Sequence, residues 1–213
     1  MQLVVCADST IKAEWLEKGY FSDMELIWIE DSNEFQEFPG ADALFDLKDF
    51  TNVEHYPKNK LLFFNGVADT LNDFSRPRTI RINAWPGFLK RNIVEVVCDD
   101  TDESSMKNIL DALGWQYLKT EDVPGMIAAR VVSMIVNEAY FALGEGVSSR
   151  EEIDIAMKLG TNYPWGPFEW AEKIGLNRIY SLLSKLAATD SRYEVAHALE
   201  EEVKNKKIET PQK

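Results

Sequence analysis

The sequence predicts an α/β domain with a reduced sheet, followed by an all-α domain. Three observations carry this. The first half holds short runs rich in Val, Ile, Phe and Trp, each bounded by Asp, Asn, Gly or Pro, which is the pattern of strands. Helical patterns separate some of these runs, and strands alternating with helices define an α/β domain. From Met126 onward the pattern is helical only. A chain of 213 residues has room for two small domains. The change of character at Val123-Pro124-Gly125 divides it into 1–122 and 123–213.

Six runs read as strands: Leu3–Cys6, Leu26–Ile29, Leu61–Phe64, Thr79–Ile82, Ile93–Val97 and Trp115–Leu118. A helix fits IKAEWLEKGY after Ser9 or Thr10. A second follows Asp100–Thr101 and stops at Gly114, a residue suited to the left-handed position after a helix. The connections at 30–42, 47–60 and 65–78 are too short or irregular for full crossover helices, hence the reduced sheet. In the second half, Met126–Leu143 is apolar almost all round, the mark of a helix buried on most faces. Ser149-Arg150-Glu151-Glu152 is a capping box, and its helix runs to Gly160. Tyr163-Pro164-Trp165-Gly166-Pro167 forms a rigid turn with Pro167 at a first helical position. Helices follow near 177–188 and 192–205, and the charged tail is expected to fray.

Composition excludes several functions. Lys and Arg number 23 against 36 Asp and Glu, a net charge of −13. Nucleic-acid binding requires a basic face, so this balance argues against it, and against docking on anionic membranes. Two cysteines, Cys6 and Cys98, make no disulfide framework, which reads as intracellular. MQLVVCADST lacks a basic segment and a long apolar run, so neither a signal peptide nor a membrane span is expected. A cytoplasmic location follows.

Pro124-Gly125-Met126-Ile127-Ala128-Ala129-Arg130 with Asn137-Glu138-Ala139, then Glu152–Gly160, then Tyr163-Pro164-Trp165-Gly166-Pro167-Phe168-Glu169, resembles the helical domain of 3-hydroxyacyl-CoA dehydrogenases in order and spacing. A weaker likeness runs upstream through Val94-Glu95-Val96 and 102–121. The resemblance implies a Rossmann-type domain holding NAD, a helical domain that dimerises, and an acyl-CoA substrate of fatty-acid metabolism. It also implies a His that takes the hydroxyl proton, a Glu that partners it, and an Asn and a Ser that contact the reacting group.

The residues depart from that pattern. The three glycine positions of the phosphate loop hold Ala7, Ser9 and Lys12, and Asp8 adds a charge of the wrong sign. Glycine there lets the backbone approach a pyrophosphate, so no NAD is expected unless the family activity survives. Gly144-Glu145-Gly146 follows a helix and reads as a helix stop. Glu30 or Asp31 could mimic a ribose-binding acid, though acids at strand ends are common. Twelve residues before Glu95, where the family has its His, stands Asn83. An amide donates and accepts hydrogen bonds but takes no proton near neutral pH. The family Asn falls on Ala129, and the Ser near Val67. His55 and His197 lie off the motif and read as ordinary histidines.

Arg76, Arg78, Arg81, Lys90 and Arg91 form an acid-free basic window from 76 to 94. Arg81, Lys90 and Arg91 are candidates for holding CoA phosphates or another anion. The alternative is that these cations pair with surface acids, and Glu95 could pair with Arg81 or Lys90. Trp165 and its neighbours read as packing, Asn162 as a left-handed turn residue, and the apolar 126–143 helix as buried in a homodimer. The expected function is a degenerate 3-hydroxyacyl-CoA dehydrogenase retaining at most acyl-CoA or anion binding. The alternatives are an active NAD-dependent enzyme and a protein-interaction module. No metal site is expected.

Overall fold

The structure is a computed structural model, and it describes residues 1–21, 23–48, 56–74 and 76–209, with side chains through Lys206. The chain forms two compact units, Met1–Met126 and Ile127–Lys213. The division falls four residues beyond the boundary read from sequence, because the stretch Asp122–Gly125 is hydrogen-bonded to the sheet unit.

The first unit contains seven strands: β1 (Gln2–Cys6), β2 (Glu25–Ile29), β3 (Ala43–Asp46), β4 (Leu61–Phe64), β5 (Thr79–Ile82), β6 (Ile93–Val97) and β7 (Gln116–Lys119). Their order is β2-β1-β3-β4-β5-β6-β7, and every neighbouring pair is parallel except β5–β6. The strand missing from the sequence reading is β3. All four of its residues, Ala-Leu-Phe-Asp, are buried, so it lacks the apolar–polar alternation that marks a half-exposed strand. The reduction expected of this sheet is not in its strand number: among the described residues, the connections at 30–42 and 65–78 hold 3-10 turns and no α-helix.

Two helices, α1 (Ser9–Lys18) and α2 (Asp100–Leu113), lie on one face. Trp15 of α1 and Met106, Leu110 and Leu113 of α2 pack with Val5, Phe45, Phe63 and Val96 of the strands. Trp15 meets Trp28, Phe45 and Trp115 edge-on at 5.8, 5.0 and 4.4 Å between centroids. The opposite face has no α-helix among the described residues. Its core of Val4, Leu44, Leu62 and Phe64 is covered by Phe35 and Phe38, from the 3-10 turn at Ser32–Glu37 and its end, and by Tyr56 and Phe74. α2 ends at Gly114 with φ +74°, as its sequence predicts.

The second unit holds α3 (Ala128–Gly144), α4 (Arg150–Thr161), α5 (Pro167–Ile174), α6 (Leu176–Ala187) and α7 (His197–Glu209). The last helix begins five residues later than expected, because Asp190 caps a separate 3-10 turn at Ser191–Tyr193. The Ser149 capping box, Pro167 at the start of α5 and the left-handed Asn162 all form. Most of α3 packs inside this unit: Val132, Val136 and Tyr140 are buried, while Ile127 and Val131 are half exposed. No described helix is long and apolar enough to cross a membrane.

Candidate functional site

In a parallel sheet of this order, ligands bind outside the carboxyl ends of the strands where the winding reverses, which here is between β1 and β3. The chain leaves β1 at Cys6 and reaches α1 within two residues. Asp8 is the cap of α1, and its Oδ1 accepts the Ile11 amide at 2.9 Å. A carboxylate thus occupies the positive end of the helix, the place where a phosphate would be drawn. Lys12 sets its ammonium 4.8 Å over the Trp28 ring. Asp31 caps the following 3-10 turn through the Asn33 amide at 2.8 Å.

The end of β3 closes the same crevice from its other side. Asp46 is buried and accepts the Tyr56 hydroxyl and, at 3.2 Å, the Lys48 amide. Burial pushes the Asp46 carboxyl above its ordinary value, against the pull of the Tyr56 hydrogen bond. Burial, then the Asp46 charge, push the Cys6 thiol up to about 12, so it stays protonated. Ala7, Ser9 and Lys12 with these acids do not fit a dinucleotide pyrophosphate: the helix end is capped from within, and the surroundings are anionic.

The second cluster arises from the one antiparallel pairing. Arg81 faces Val97 and Ile82 faces Val96, which sets Asn83 opposite Glu95. The Asn83 amide donates to the Glu95 carbonyl at 3.0 Å, and its Nδ2 donates to Glu95 Oε2 at 3.1 Å. The Asn83 side-chain oxygen lies 3.4 Å from the Trp85 amide. Asn83 is buried and Glu95 half-buried. Asn65, just after β4, accepts the Ala84 amide at 3.1 Å. Glu14 of α1 is also buried and accepts the Gly87 amide at 2.6 Å, so it holds the turn that follows Asn83. The twelve-residue spacing is thus a real juxtaposition. By the resemblance Asn65 stands where the family has an Asn after its fourth strand, whereas Glu14 carries no sequence signal that singles it out.

The basic window does not make an open strip. Arg81 is 0% exposed and paired with Asp122, so it is unavailable to an anion. Arg76 is buried among the carbonyls of Pro57, Lys60, Pro77 and Arg78. Lys90 pairs with Glu17 at 3.2 Å, and Arg91 lies over the Phe88 ring at 4.3 Å. Glu95 accepts the Asn83 side-chain amide, and its charge also acts on Arg91.

In the helical unit, Ala129 is fully buried in α3, so that position contributes packing. Asn137 bridges α3 to the approach to α7: it donates to the Glu194 carbonyl at 2.8 Å and accepts the Ala196 amide at 2.9 Å. Asp154 of α4 caps α5, accepting the Phe168 amide at 2.8 Å and the Glu169 amide at 3.2 Å. Trp165 packs edge-on against Trp170 at 4.6 Å and beneath Lys173. His197 is exposed near Glu201, whereas His55 lies outside the described residues. The described residues contain no group of three or more His, Cys, Asp or Glu that could hold a metal ion.

Residues 125–213 match the family described as 3-hydroxyacyl-CoA dehydrogenase, C-terminal domain. The C-terminal unit is thus a domain of the 3-hydroxyacyl-CoA dehydrogenase type. A 3-hydroxyadipyl-CoA dehydrogenase of Escherichia coli K12 is 46% identical over 87 residues, 40% of this chain and 18% of that protein. A 3-hydroxybutyryl-CoA dehydrogenase of Bradyrhizobium diazoefficiens is 39% identical over 100 residues, 46% of this chain and 34% of that one. The matched stretch therefore spans between about a fifth and a third of these curated relatives. The structure of (S)-3-hydroxybutyryl-CoA dehydrogenase from Ralstonia eutropha superposes with a TM-score of 0.70, covering 96% of this chain and 94% of that one at 19% identity. That likeness shows a shared fold, sheet unit included.

Proposed function

We propose that this chain is a catalytically silent relative of the 3-hydroxyacyl-CoA dehydrogenases that holds an acyl-CoA as a dimer, without the redox step. The observation that carries the reading is the Asn83–Glu95 pair. The resemblance puts the family's proton-accepting His at Asn83, and Glu95 still faces it. The geometry of a base and its partner is kept while the base is gone. General-base catalysis contributes roughly 10²–10⁴ in rate. The self-capped Asp8 turn removes the cofactor cradle independently. Acyl-CoA as ligand is supported by the substrates for which the relatives are named and by the retained Asn65–Asn83–Glu95 cluster. Of the three candidate cations, Lys90 and Arg91 remain to meet its phosphates, Arg91 on the surface and Lys90 partly exposed. Dimerisation through the helical unit is supported by α4, where Leu159 is 82% exposed beside Ile155 and Tyr163. The same surface favours a second reading, in which the helical unit is an interaction module and the Asn83–Glu95 cluster is vestigial.

The test is turnover of 3-hydroxybutyryl-CoA with NAD, together with tryptophan-fluorescence titration by acetoacetyl-CoA and by NADH. Background turnover, saturable quenching by acetoacetyl-CoA and none by NADH are expected. Sustained NADH production by the unmodified protein overturns the proposal. If neither ligand binds at millimolar concentration, the interaction module replaces it.

A further inference from the structure

The buried Arg81 side chain donates four hydrogen bonds, and its partners all belong to segments that leave the sheet. Its Nε donates to the Gly66 carbonyl at 2.8 Å. One terminal nitrogen donates to the carbonyls of Val67 and Val123, at 3.2 Å each. The other pairs with Asp122. The Asp122 carboxylate also accepts the Leu71 amide, at 2.9 Å to each oxygen. The Val67 carbonyl takes a second donor, the Gly125 amide, at 2.7 Å. One guanidinium therefore ties the loop after β4, the turn at Leu71 and the stretch Asp122–Gly125 to β5.

Both ends of this cluster carry something specific. The stretch ends on Gly125 and Met126, with φ of +83° and +48°. A left-handed conformation at a buried methionine persists only where surrounding contacts hold it. At the other end, the loop after β4 begins with Asn65, which holds the Ala84 amide beside Asn83. Arg81 lies two residues before Asn83 on the same strand.

We propose that Arg81 is a latch that couples the Asn65–Asn83–Glu95 cluster to the Asp122–Met126 exit of the sheet unit, so that loosening either end loosens the other. The device lies wholly within the first unit and is independent of which ligand, if any, the cluster binds. A coupling of this kind is reciprocal by thermodynamic necessity. It also requires direct evidence of coupling and not mere proximity.

Amide hydrogen exchange of the full chain, resolved by residue, tests it with two mild variants. Asp122→Asn keeps an oxygen for Leu71 and removes the charge that holds Arg81. It should speed exchange at Leu71 and Gly125, and also at Ala84, at least tenfold. Asn65→Ala should speed exchange at Ala84 and equally at Gly125. The amides of β1 and β3 should keep their native rates in both. Arg81→Met should release both ends together; if it does not fold, the two mild variants decide alone. The proposal falls if each variant affects only its own neighbours, or if all amides accelerate together as in a general loss of stability.

Discussion

The joint between α4 and α5 gives the sharpest quantitative expectation, from Gly166→Ala. The φ of Gly166 is −73°, so alanine meets no backbone penalty there. Its Cβ would nevertheless lie 2.3 Å from Asp154 Oδ1, 2.4 Å from Cγ and 2.5 Å from Cβ. Because the Asp154 Cβ is fixed to its own backbone, rotating the carboxylate away cannot clear the overlap, and α4 and α5 must separate. The separation strains the two bonds from the Phe168 and Glu169 amides to the carboxylate. Hydrogen bonds to a charged group contribute about 1.5–3 kcal/mol each, so a cost of up to about 3–6 kcal/mol is expected if both are lost. For a domain of this size each kcal/mol moves Tm by about 4–8 °C. Denaturation followed by tryptophan fluorescence reads the joint directly, since Trp165 and Trp170 adjoin it. Asp154→Gly removes all three clashing atoms, so Gly166→Ala in that background should cost little. The coupling between the two should then be at least about 2 kcal/mol. A neutral Gly166→Ala, or full additivity with Asp154→Gly, refutes the steric reasoning.

Three further expectations concern other sites. Asn137→Ala leaves the Glu194 carbonyl and the buried Ala196 amide without their partner, and should lower denaturation stability by about 2–4 kcal/mol; a change below about 0.5 kcal/mol contradicts the bridge. Asp46 binds its proton more tightly folded than unfolded, so its contribution favours the fold at low pH and is lost as pH rises through the folded titration. Tyr56→Phe removes the hydrogen bond that opposes this shift, so carboxyl NMR should show the Asp46 titration moving further up; a downward move contradicts the assignment. Leu159→Lys, at an outward position of α4, should leave thermal stability of the monomer unchanged and shift sedimentation from dimer to monomer; an unaltered dimer removes α4 from the interface.

What the sequence disclosed depended on how local the governing physics was. The caps at Ser149, Pro167 and Gly114 act within one turn of chain, and each is where its residues indicate. The family resemblance is what joins Asn83 to Glu95 in the sequence, and the antiparallel register of β5 and β6 sets the two opposite each other. β3 was hidden because a strand covered on both faces carries no alternation. Arg81 differs from its expected role for a related reason. Counting charge in a window cannot reveal that a cation has Asp122 and three carbonyls, up to 42 residues away, as partners. Asn65 and Glu14 likewise act through main-chain amides, which leave no mark in composition.

The sheet face covered by Phe35, Phe38, Tyr56 and Phe74 has a consequence for how this unit comes apart. A crossover helix clamps its own backbone and presents a continuous stripe, so it detaches as one piece. Here, among the described residues, the covering groups are rings on turns, with Phe35 tilted against Tyr56 at 5.5 Å and Phe74 edge-on to Phe64 at 4.8 Å. Fluctuations that bare this side can proceed ring by ring, at a fraction of the free energy of global unfolding. The two sides of one sheet thus differ in cooperativity. Partial openings should expose Val4, Leu44 and Leu62 to solvent well before α1 and α2 release the other side.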